Sequence, residues 1–202
     1  MLVVAATQNA HKIRELTEIT KDFGMEVISR AAAGVPDFEI EEDGAGFEEN
    51  SLKKARVIME YCGMAAIADD SGLVTDALGG APGVLSARFA GVFGADADAA
   101  NNRKLLALLS DVPDAERTAR FVSVVTLVFP GGRALAARGE CEGRIGREEK
   151  GSGGFGYDPL FTPLGFEKTF AELSAEEKNG ISHRARALAA LREILSESGG
   201  AG

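Results

Sequence analysis

Tryptophan is absent from this 202-residue sequence, cysteine occurs only twice, and long apolar runs are missing. Cys62 and Cys141 form no Cys-x-x-Cys pair, which favours reduced thiols over a disulfide framework or a zinc site. The apolar runs at 64–68 and 122–129 fall far short of the roughly 20 residues that cross a bilayer. Because the N-terminus also lacks a basic leader, we expect a cytoplasmic protein without a membrane partner.

Positive charge is scarce, since 31 acidic residues stand against 22 basic ones and give a formal net charge of −9. This balance opposes the broad basic surface that binds a nucleic-acid backbone, so we expect no nucleic-acid partner. The charge is uneven, with acidic residues concentrated at 37–49 and basic residues at 144–150 and 178–192. A metal on the acidic side and cations on the other would hold a small polyanion.

The spacing of apolar residues predicts an α/β fold. A buried strand at 2–6 precedes a helix whose apolar residues are Ile13, Leu16, Ile19 and Phe23. We predict further strands at 25–29 and 64–68, a hairpin of 119–129 with 133–142 in a second lobe, and helices at 47–61, 101–109 and 182–195. Open α/β sheets bind ligands beyond the carboxyl ends of their strands, so the polar residues there are expected to share a cleft.

Polar residues follow the first strand. Thr7, Asn9 and Lys12 place two hydrogen-bonding side chains and an ammonium where a strand gives way to a helix. The free N–H groups and the dipole of a helix start favour a phosphate. By itself the pattern is more often an ordinary helix start, with Asn9 as the N-cap and Lys12 in solvent.

Two adjacent carboxylates, Asp69 and Asp70, follow the third predicted strand and suit Mg²⁺. Because side chains alternate along a strand, only one of them is expected to face the cleft. A capped turn at 69–72 explains the same residues equally well. The acidic loop at 41–44 offers a second carboxylate for the ion, although a solvated loop has the same composition.

Two helices carry candidate cations. Asn50 and Lys54 are four residues apart and share a face of the second helix, where a cation can stabilise phosphate charge. The alternative is a surface lysine. His183 and Arg184 lie in the first turn of the last helix, where the dipole disfavours cations by ~0.3–1 kcal/mol each, so we expect an anion nearby.

A glycine-rich segment at 153–158 precedes the last helix. Phe155 is suited to stack on a base, Asp158 to accept from a base N–H, and Lys178 adds a cation. Taken singly, the phenylalanine is as well explained by core packing and the aspartate by a turn.

With these residues assembled, the chain resembles the inosine/xanthosine triphosphate pyrophosphatase family, the non-canonical purine nucleoside triphosphate pyrophosphatases. The resemblance runs nearly end to end. It rests on six motifs in order: Thr7-x-Asn9-x-x-Lys12, Phe47-x-Glu49-Asn50-Ser51-x-x-Lys54-Ala55, Ala68-Asp69-Asp70-Ser71-Gly72-Leu73, Gly79–Gly83 with Ser86–Arg88, Gly153–Pro159, and Glu177-Lys178-Asn179 with Ser182-His183-Arg184.

The resemblance implies a fold, a reaction and an assembly. The fold is an elongated mixed sheet flanked by helices, a single domain over 1–202 in two lobes with a central nucleotide-binding cleft. The reaction is the Mg²⁺-dependent hydrolysis of ITP, dITP, XTP and dXTP to the monophosphate and pyrophosphate. The assembly is a homodimer.

The resemblance also implies roles for individual residues. Asp70 would be general base and metal ligand, and Glu41, or its neighbour Glu42, the second ligand. Lys12 and Lys54 would act with Asp70 by stabilising charge on the phosphates. The substrate would be bound by Thr7, Gln8, Asn9, Ala10, His11, Lys12, Ser71, Phe155, Gly156, Tyr157, Asp158, Lys178, His183 and Arg184.

One residue departs from the family pattern, because Gln8 stands where glycine is usual, and a positive φ there would strain it. Two alternatives stay open. A septum-inhibitor-like pyrophosphatase for modified pyrimidine nucleotides is disfavoured by the motif at 182–184 and the loop at 154–158, and a non-catalytic nucleotide sensor by the intact carboxylates and lysines. A dinucleotide-binding oxidoreductase is excluded because no Gly-x-Gly-x-x-Gly follows the first strand.

Overall fold

The computed structural model describes residues 1–21 and 24–199. Over these residues the chain is α/β, as predicted. The strands are β1 (Leu2–Ala5), β2 (Glu26–Ile28), β3 (Ala66–Thr75), β4 (Thr118–Val128), β5 (Ala134–Ile145) and β6 (Phe161–Pro163). The α-helices are α1 (Ala10–Thr20), α2 (Phe47–Cys62), α3 (Ala97–Leu108), α4 (Ala175–Ile181) and α5 (His183–Gly199). Phe23, which the apolar spacing assigns to the first helix, lies outside the described residues.

The strands form one mixed sheet in the order β2-β1-β3-β4-β5-β6. β1 pairs in parallel with β2 and with β3, where Val4 lies opposite Ala66, and β5 and β6 are antiparallel. Parallel neighbours need a crossover connection, which α1 and α2 provide. The turn between β4 and β5 is closed by a 2.9 Å hydrogen bond from the Phe129 N–H to the Arg133 carbonyl. The predicted βαβ start and the predicted hairpin are both confirmed.

The third strand is longer than predicted. It was expected to end at Ala68 before a turn, but β3 continues to Thr75 and carries Asp69 and Asp70 in its interior. Both aspartates are buried. Their carboxylates are satisfied by side chains from distant parts of the chain, so the strand continues without exposing them to water.

The chain forms two compact units. The first consists of Met1–Asp70, Ser123–Gly139 and His183–Gly202, and the second of Ser71–Val122 and Glu140–Ser182. The hairpin, predicted to belong to a second lobe, is divided between the two units, with its turn in the first unit and the ends of its strands in the second. That the two units are lobes of a single domain stays a prediction.

In the first unit, alternation along β3 directs successive side chains to different helices. Ile67 packs with Leu16 of α1 and Leu188 of α5, whereas the next residue, Ala68, packs in a separate cluster with Ile58 of α2. All five side chains are fully buried. Burying one leucine or isoleucine stabilises the fold by about 1.5–3 kcal/mol, so these two clusters fix the three helices against the sheet.

The start of α5 lies directly on β5. A Cβ atom at Gly139 would collide with the backbone of His183 and Ala187. Only glycine permits this close approach, which brings the first turn of α5 against the sheet.

The second unit has its own core, built on three aromatic rings. Phe121 packs edge-on against Phe161 with centroids 4.8 Å apart, and Phe170 stacks on Phe121 at 5.8 Å. Tyr157 is buried in the same cluster, and its hydroxyl donates to the Ser86 carbonyl at 2.9 Å. The segment that carries Tyr157 is therefore anchored to the core. Across the described residues, every helix is too short or too polar to traverse a bilayer.

Candidate active site

The segment after β1 forms a capped helix start. Asn9 is the N-cap of α1, and its Oδ1 accepts from the N–H groups of His11 at 2.9 Å and Lys12 at 3.2 Å. The N–H of Asn9 in turn donates to Thr7 Oγ1 at 3.2 Å. Ala10 is the first helical residue. The interpretation of Asn9 as an N-cap is confirmed, and a phosphate-binding role for these residues stays a prediction.

Gln8 fits this turn without strain. Its φ is not positive, so the turn does not depend on the glycine that is usual at this position. The side-chain amide donates to Asp37 Oδ1 at 2.5 Å. Gln8 thereby ties the segment after β1 to the loop that leads to the acidic residues.

Asp69 is the fully buried centre of a group of charges. Its carboxylate lies 2.8 Å from Lys12 Nζ and 2.8 Å from Arg184 Nη2, and it accepts from Ser123 Oγ at 2.5 Å. Arg184 is also paired with Glu15. Although burial opposes its ionisation, Arg184 and Lys12 hold the pKa of Asp69 well below its ordinary value. The carboxylate is therefore charged at neutral pH.

These contacts explain how cations are tolerated in the first turn of α5, where the helix dipole disfavours them. Cations in the first turn of a helix require an anion nearby, and for Arg184 Asp69 and Glu15 of the same chain supply it. A role for Arg184 in contacting the purine stays a prediction.

Asp70 points to the opposite face of the sheet, toward α2, as the alternation along β3 requires. Lys54 Nζ lies 2.7 Å from Asp70 Oδ1, and Asn50 Nδ2 donates to Asp70 Oδ2 at 3.3 Å. Burial raises the pKa of the Asp70 carboxyl, although Lys54 and Lys12 partly oppose the rise. Burial alone would lower the pKa of Lys54, but the carboxylates of Asp70 and Glu42 raise it, so its ammonium stays charged.

The second carboxylate beside Lys54 belongs to Glu42. Glu42 Oε1 lies 2.9 Å from Lys54 Nζ, while Glu41 is exposed. Asn50 holds this loop in place, because its Oδ1 accepts from the Gly44 N–H at 2.8 Å. A Cβ atom at Gly44 would come within 2.6 Å of that oxygen, so the loop needs a glycine there. Residues 1–21 and 24–199 contain no group of three or more His, Cys, Asp or Glu side chains that could hold a metal by themselves.

In the second unit, Lys178 joins the residues of the glycine-rich segment. Its Nζ lies 2.7 Å from Asp158 Oδ2 and 5.0 Å from the centroid of the Phe155 ring. The same carboxylate oxygen accepts from the Phe155 N–H at 3.0 Å. A Cβ atom at Gly154, whose φ is +71°, would collide with Asp158 Oδ2. The segment is therefore folded tightly around one buried carboxylate, with an aromatic ring beside the ammonium.

A short helix positions Lys178. Ser174 is the N-cap of α4, and its Oγ accepts from the Glu177 N–H at 3.1 Å while Glu177 Oε2 accepts from the Ser174 N–H at 2.7 Å. This reciprocal capping box fixes the first turn, from which Lys178 projects.

The remaining predicted binding residues are also located. Ser71 follows Asp70 on β3 and is half-buried. His183 is the first residue of α5 and is buried. Contact of either with a substrate stays a prediction.

Three residues of this arrangement make contacts that the sequence did not predict. Asp69 was considered with Asp70 as a carboxylate suited to Mg²⁺, Asn50 as a neighbour of Lys54 on one face of the second helix, and Glu42 as an alternative to Glu41. The sequence contained a signal for the pairing of Asp69. The apolar residues Leu73 and Val74 indicate that the strand continues past the two acids, and an acid buried within a strand must be paired.

The fold recurs in known proteins, which the sequence resembles over nearly its whole length. The Ham1 family model matches residues 3–194. The dITP/XTP pyrophosphatase of Desulforamulus reducens is 53% identical over 197 residues, which cover 97% of this chain and 96% of that protein. The structure of a HAM1 protein from Coxiella burnetii superposes with a TM-score of 0.85 at 41% identity, covering 98% of this chain and 99% of the other. The crystal structure of a nucleoside-triphosphatase, dITP/XTP pyrophosphatase, from Mycobacterium abscessus gives a TM-score of 0.75 at 48% identity, covering 95% and 98%. The chain therefore belongs to the Ham1 family.

Proposed function

We propose that this protein hydrolyses non-canonical purine nucleoside triphosphates, namely ITP, XTP and their deoxy forms, to the nucleoside monophosphate and pyrophosphate. The observation that carries the proposal is the contact of the buried Asp70 carboxylate with the buried ammonium of Lys54, which also holds Glu42. In phosphoanhydride hydrolysis, one carboxylate can serve as general base, the cation can stabilise charge on the phosphates, and the second carboxylate can hold a metal ion. The name of the Desulforamulus reducens relative supports the choice of substrate.

Mg²⁺ is the proposed cofactor, with Asp70 and Glu42 as its protein ligands. Both offer hard carboxylate oxygens, and both lie within 3 Å of the same ammonium. Mg²⁺ commonly takes only one or two carboxylates and completes its shell with water and substrate phosphates, so the absence of a three-residue cluster among the described residues fits it. The ion would neutralise charge on the triphosphate and lower the pKa of a water bound to it.

Asp70 is the proposed general base. A base works best when its pKa lies near the working pH, and burial moves the pKa of Asp70 upward in that direction. Asn50 donates to Asp70 Oδ2 and Lys54 to Asp70 Oδ1, and these two contacts orient the carboxylate that would take the proton of an attacking water. Lys54 stabilises the charge that develops on the phosphate.

The start of α1 is the proposed phosphate-binding segment. Thr7, Gln8, Ala10 and His11 lie in an exposed or half-exposed turn before and within the first helical turn. The helix dipole favours an anion at this end. Lys12, which contacts Asp69, adds a positive charge beside the turn.

Phe155, Asp158 and Lys178 are proposed to recognise the purine. The Phe155 ring is suited to stack on a base, and the ammonium of Lys178 is a donor that a 6-keto oxygen accepts and a 6-amino group cannot. A buried donor left opposite an amino group costs about 1–3 kcal/mol, which is the physical basis for preferring inosine and xanthosine nucleotides over ATP. A homodimer in the cytoplasm stays a prediction.

The identity of the products tests this function. With ITP and Mg²⁺, ³¹P NMR should show inosine monophosphate and pyrophosphate in equal amounts, and EDTA should stop the reaction. In ¹⁸O-labelled water the label should enter the monophosphate, because the water attacks the α-phosphorus. Release of inosine diphosphate and orthophosphate would contradict the proposal, and binding of ITP without turnover would favour the nucleotide sensor.

A further inference from the structure

α3 holds the glycine-rich segment at a single residue, Gly156, through the peptide groups on both sides of it. The Gly156 N–H donates to Asp98 Oδ2 at 2.7 Å, and the Gly156 carbonyl accepts from Asn102 Nδ2 at 3.2 Å. Asp98 and Asn102 are four residues apart and share one face of the helix. We propose that Asp98 and Asn102 are positioning residues that set purine selectivity through Gly156, an inference that rests on the proposed function.

A restraint from outside the segment adds to the contacts of Asp158 and Tyr157, because the backbone at the two glycines is permissive. Gly154 and Gly156 both have positive φ, at +71° and +61°. Glycine occupies this region and the ordinary negative-φ region about equally well, so the sequence alone does not favour the observed shape. Phe155 lies between these two glycines. Asp158 holds the Phe155 N–H on one side of the ring, so the orientation of the ring depends further on what fixes Gly156 on the other side.

α3 is rigid enough to provide the restraint. Asn101 of α3 donates to the carbonyls of Ser86 and Ala87 and accepts from the Ala90 N–H. Because Tyr157 also bonds the Ser86 carbonyl, helix and segment share one anchor. The two hydrogen bonds from Asp98 and Asn102 to Gly156, here called the clamp, thus fix the proposed base-binding residues relative to α3.

The amide of Asn102 is oriented by its bond to Gly156. It is buried, and within the described parts of the chain its Oδ1 is without a hydrogen bond. Its orientation therefore depends on the bond from Nδ2 to Gly156. Asp98, in contrast, is exposed, so replacing it leaves no buried defect.

The test replaces Asp98 with alanine and with asparagine, with Asp96→Ala as the matched control. Asp96 is an exposed carboxylate just before α3 that makes no side-chain capping bond. Dissociation constants for inosine and adenosine monophosphate are measured by calorimetry in EDTA, and KM and kcat for ITP and ATP with Mg²⁺.

Asp98→Ala should weaken inosine monophosphate binding and raise the KM for ITP by about five- to tenfold, the loss of one good hydrogen bond, with kcat changed less than about twofold. The preference for inosine over adenosine nucleotides should fall in the same variant. Asp98→Asn should recover most of the loss, because its amide oxygen still accepts from Gly156, and Asp96→Ala should match wild type.

Two results overturn the inference in different ways. If wild-type protein does not prefer ITP over ATP, the proposed function fails and the inference fails with it. If wild type is selective but Asp98→Ala keeps its affinity and selectivity, or loses no more than Asp96→Ala, only the inference fails.

Discussion

Asparagine at position 70 should abolish hydrolysis and leave the fold intact. An amide of nearly the same shape cannot take a proton from water, and loss of a general base lowers turnover by about 10²–10⁴-fold. The proposed metal loses a ligand as well. Stability should be largely retained for two reasons. Burial raises the pKa of the Asp70 carboxyl, so the folded protein holds its charged form at a cost, and Lys54 keeps the carboxylate of Glu42 as a partner when Asp70 is neutral. Initial rates of ITP hydrolysis and urea unfolding curves measure the two effects.

Asp43→Asn is the matched control for this variant. Asp43 lies in the same acidic loop as Glu42, and its exposed carboxylate pairs with Lys53 at 2.6 Å. The same loss of charge should leave both turnover and stability close to wild type. Full activity in Asp70→Asn, or equal loss in both variants, would contradict the assignment of Asp70.

Asp69→Asn, in contrast to Asp70→Asn, should destabilise the fold. Asp69→Asn removes the charge that Lys12 and Arg184 face inside the protein. Breaking a buried ion pair from one side leaves an uncompensated charge and costs about 3 kcal/mol or more. Because the pKa of Asp69 is held well below its ordinary value, this carboxylate stabilises the fold in its charged form at neutral pH. The free energy of unfolding in urea measures the loss.

An exposed aspartate paired with an arginine provides the comparison. Asp76 contacts Arg120 at 2.9 Å, and about half of its side chain is exposed. Asp76→Asn should cost less than about 1 kcal/mol, since water screens the pair. If Asp69→Asn destabilises the protein no more than Asp76→Asn, the buried ion pairs do not anchor the start of α5.

The contrast between Asp69 and Asp70 follows from alternation along β3. The sequence shows the two adjacent carboxylates, and alternation predicts that Asp69 and Asp70 face opposite sides of the sheet. The length of the strand could not be predicted in the same way. Whether a strand continues through two acids depends on Lys12, Lys54 and Arg184, which arrive from other elements, and no local pattern shows those partners.

The elements with strong periodicity were predicted well. α2 was expected at 47–61 and spans Phe47–Cys62, and the hairpin lies within a few residues of its expected place. The choice between Glu41 and Glu42 could not be made from composition. It depends on how the loop is fastened to α2 through Asn50, a contact between residues whose spacing has no helical or strand period.

The contacts of Asp98 and Asn102 with Gly156 also could not be predicted from the sequence. Asp98 and Asn102 show helical spacing, but a helix surface offers many such pairs. Only the fold shows that both bond the backbone of one residue, Gly156, in the segment at 153–158.

The central claim is tested most directly by the rate of pyrophosphate release from ITP, XTP, dITP, ATP, GTP and dTTP, each with Mg²⁺. We expect ITP, XTP and dITP to be hydrolysed at least about tenfold faster than ATP, as one well-placed hydrogen bond to the 6-keto group requires. GTP carries the same 6-keto group, so its rate shows whether the site also discriminates against the 2-amino group. A preference for dTTP would indicate a pyrimidine nucleotide pyrophosphatase. Equal rates for ITP and ATP, or no release from any of the six, would contradict the proposed function.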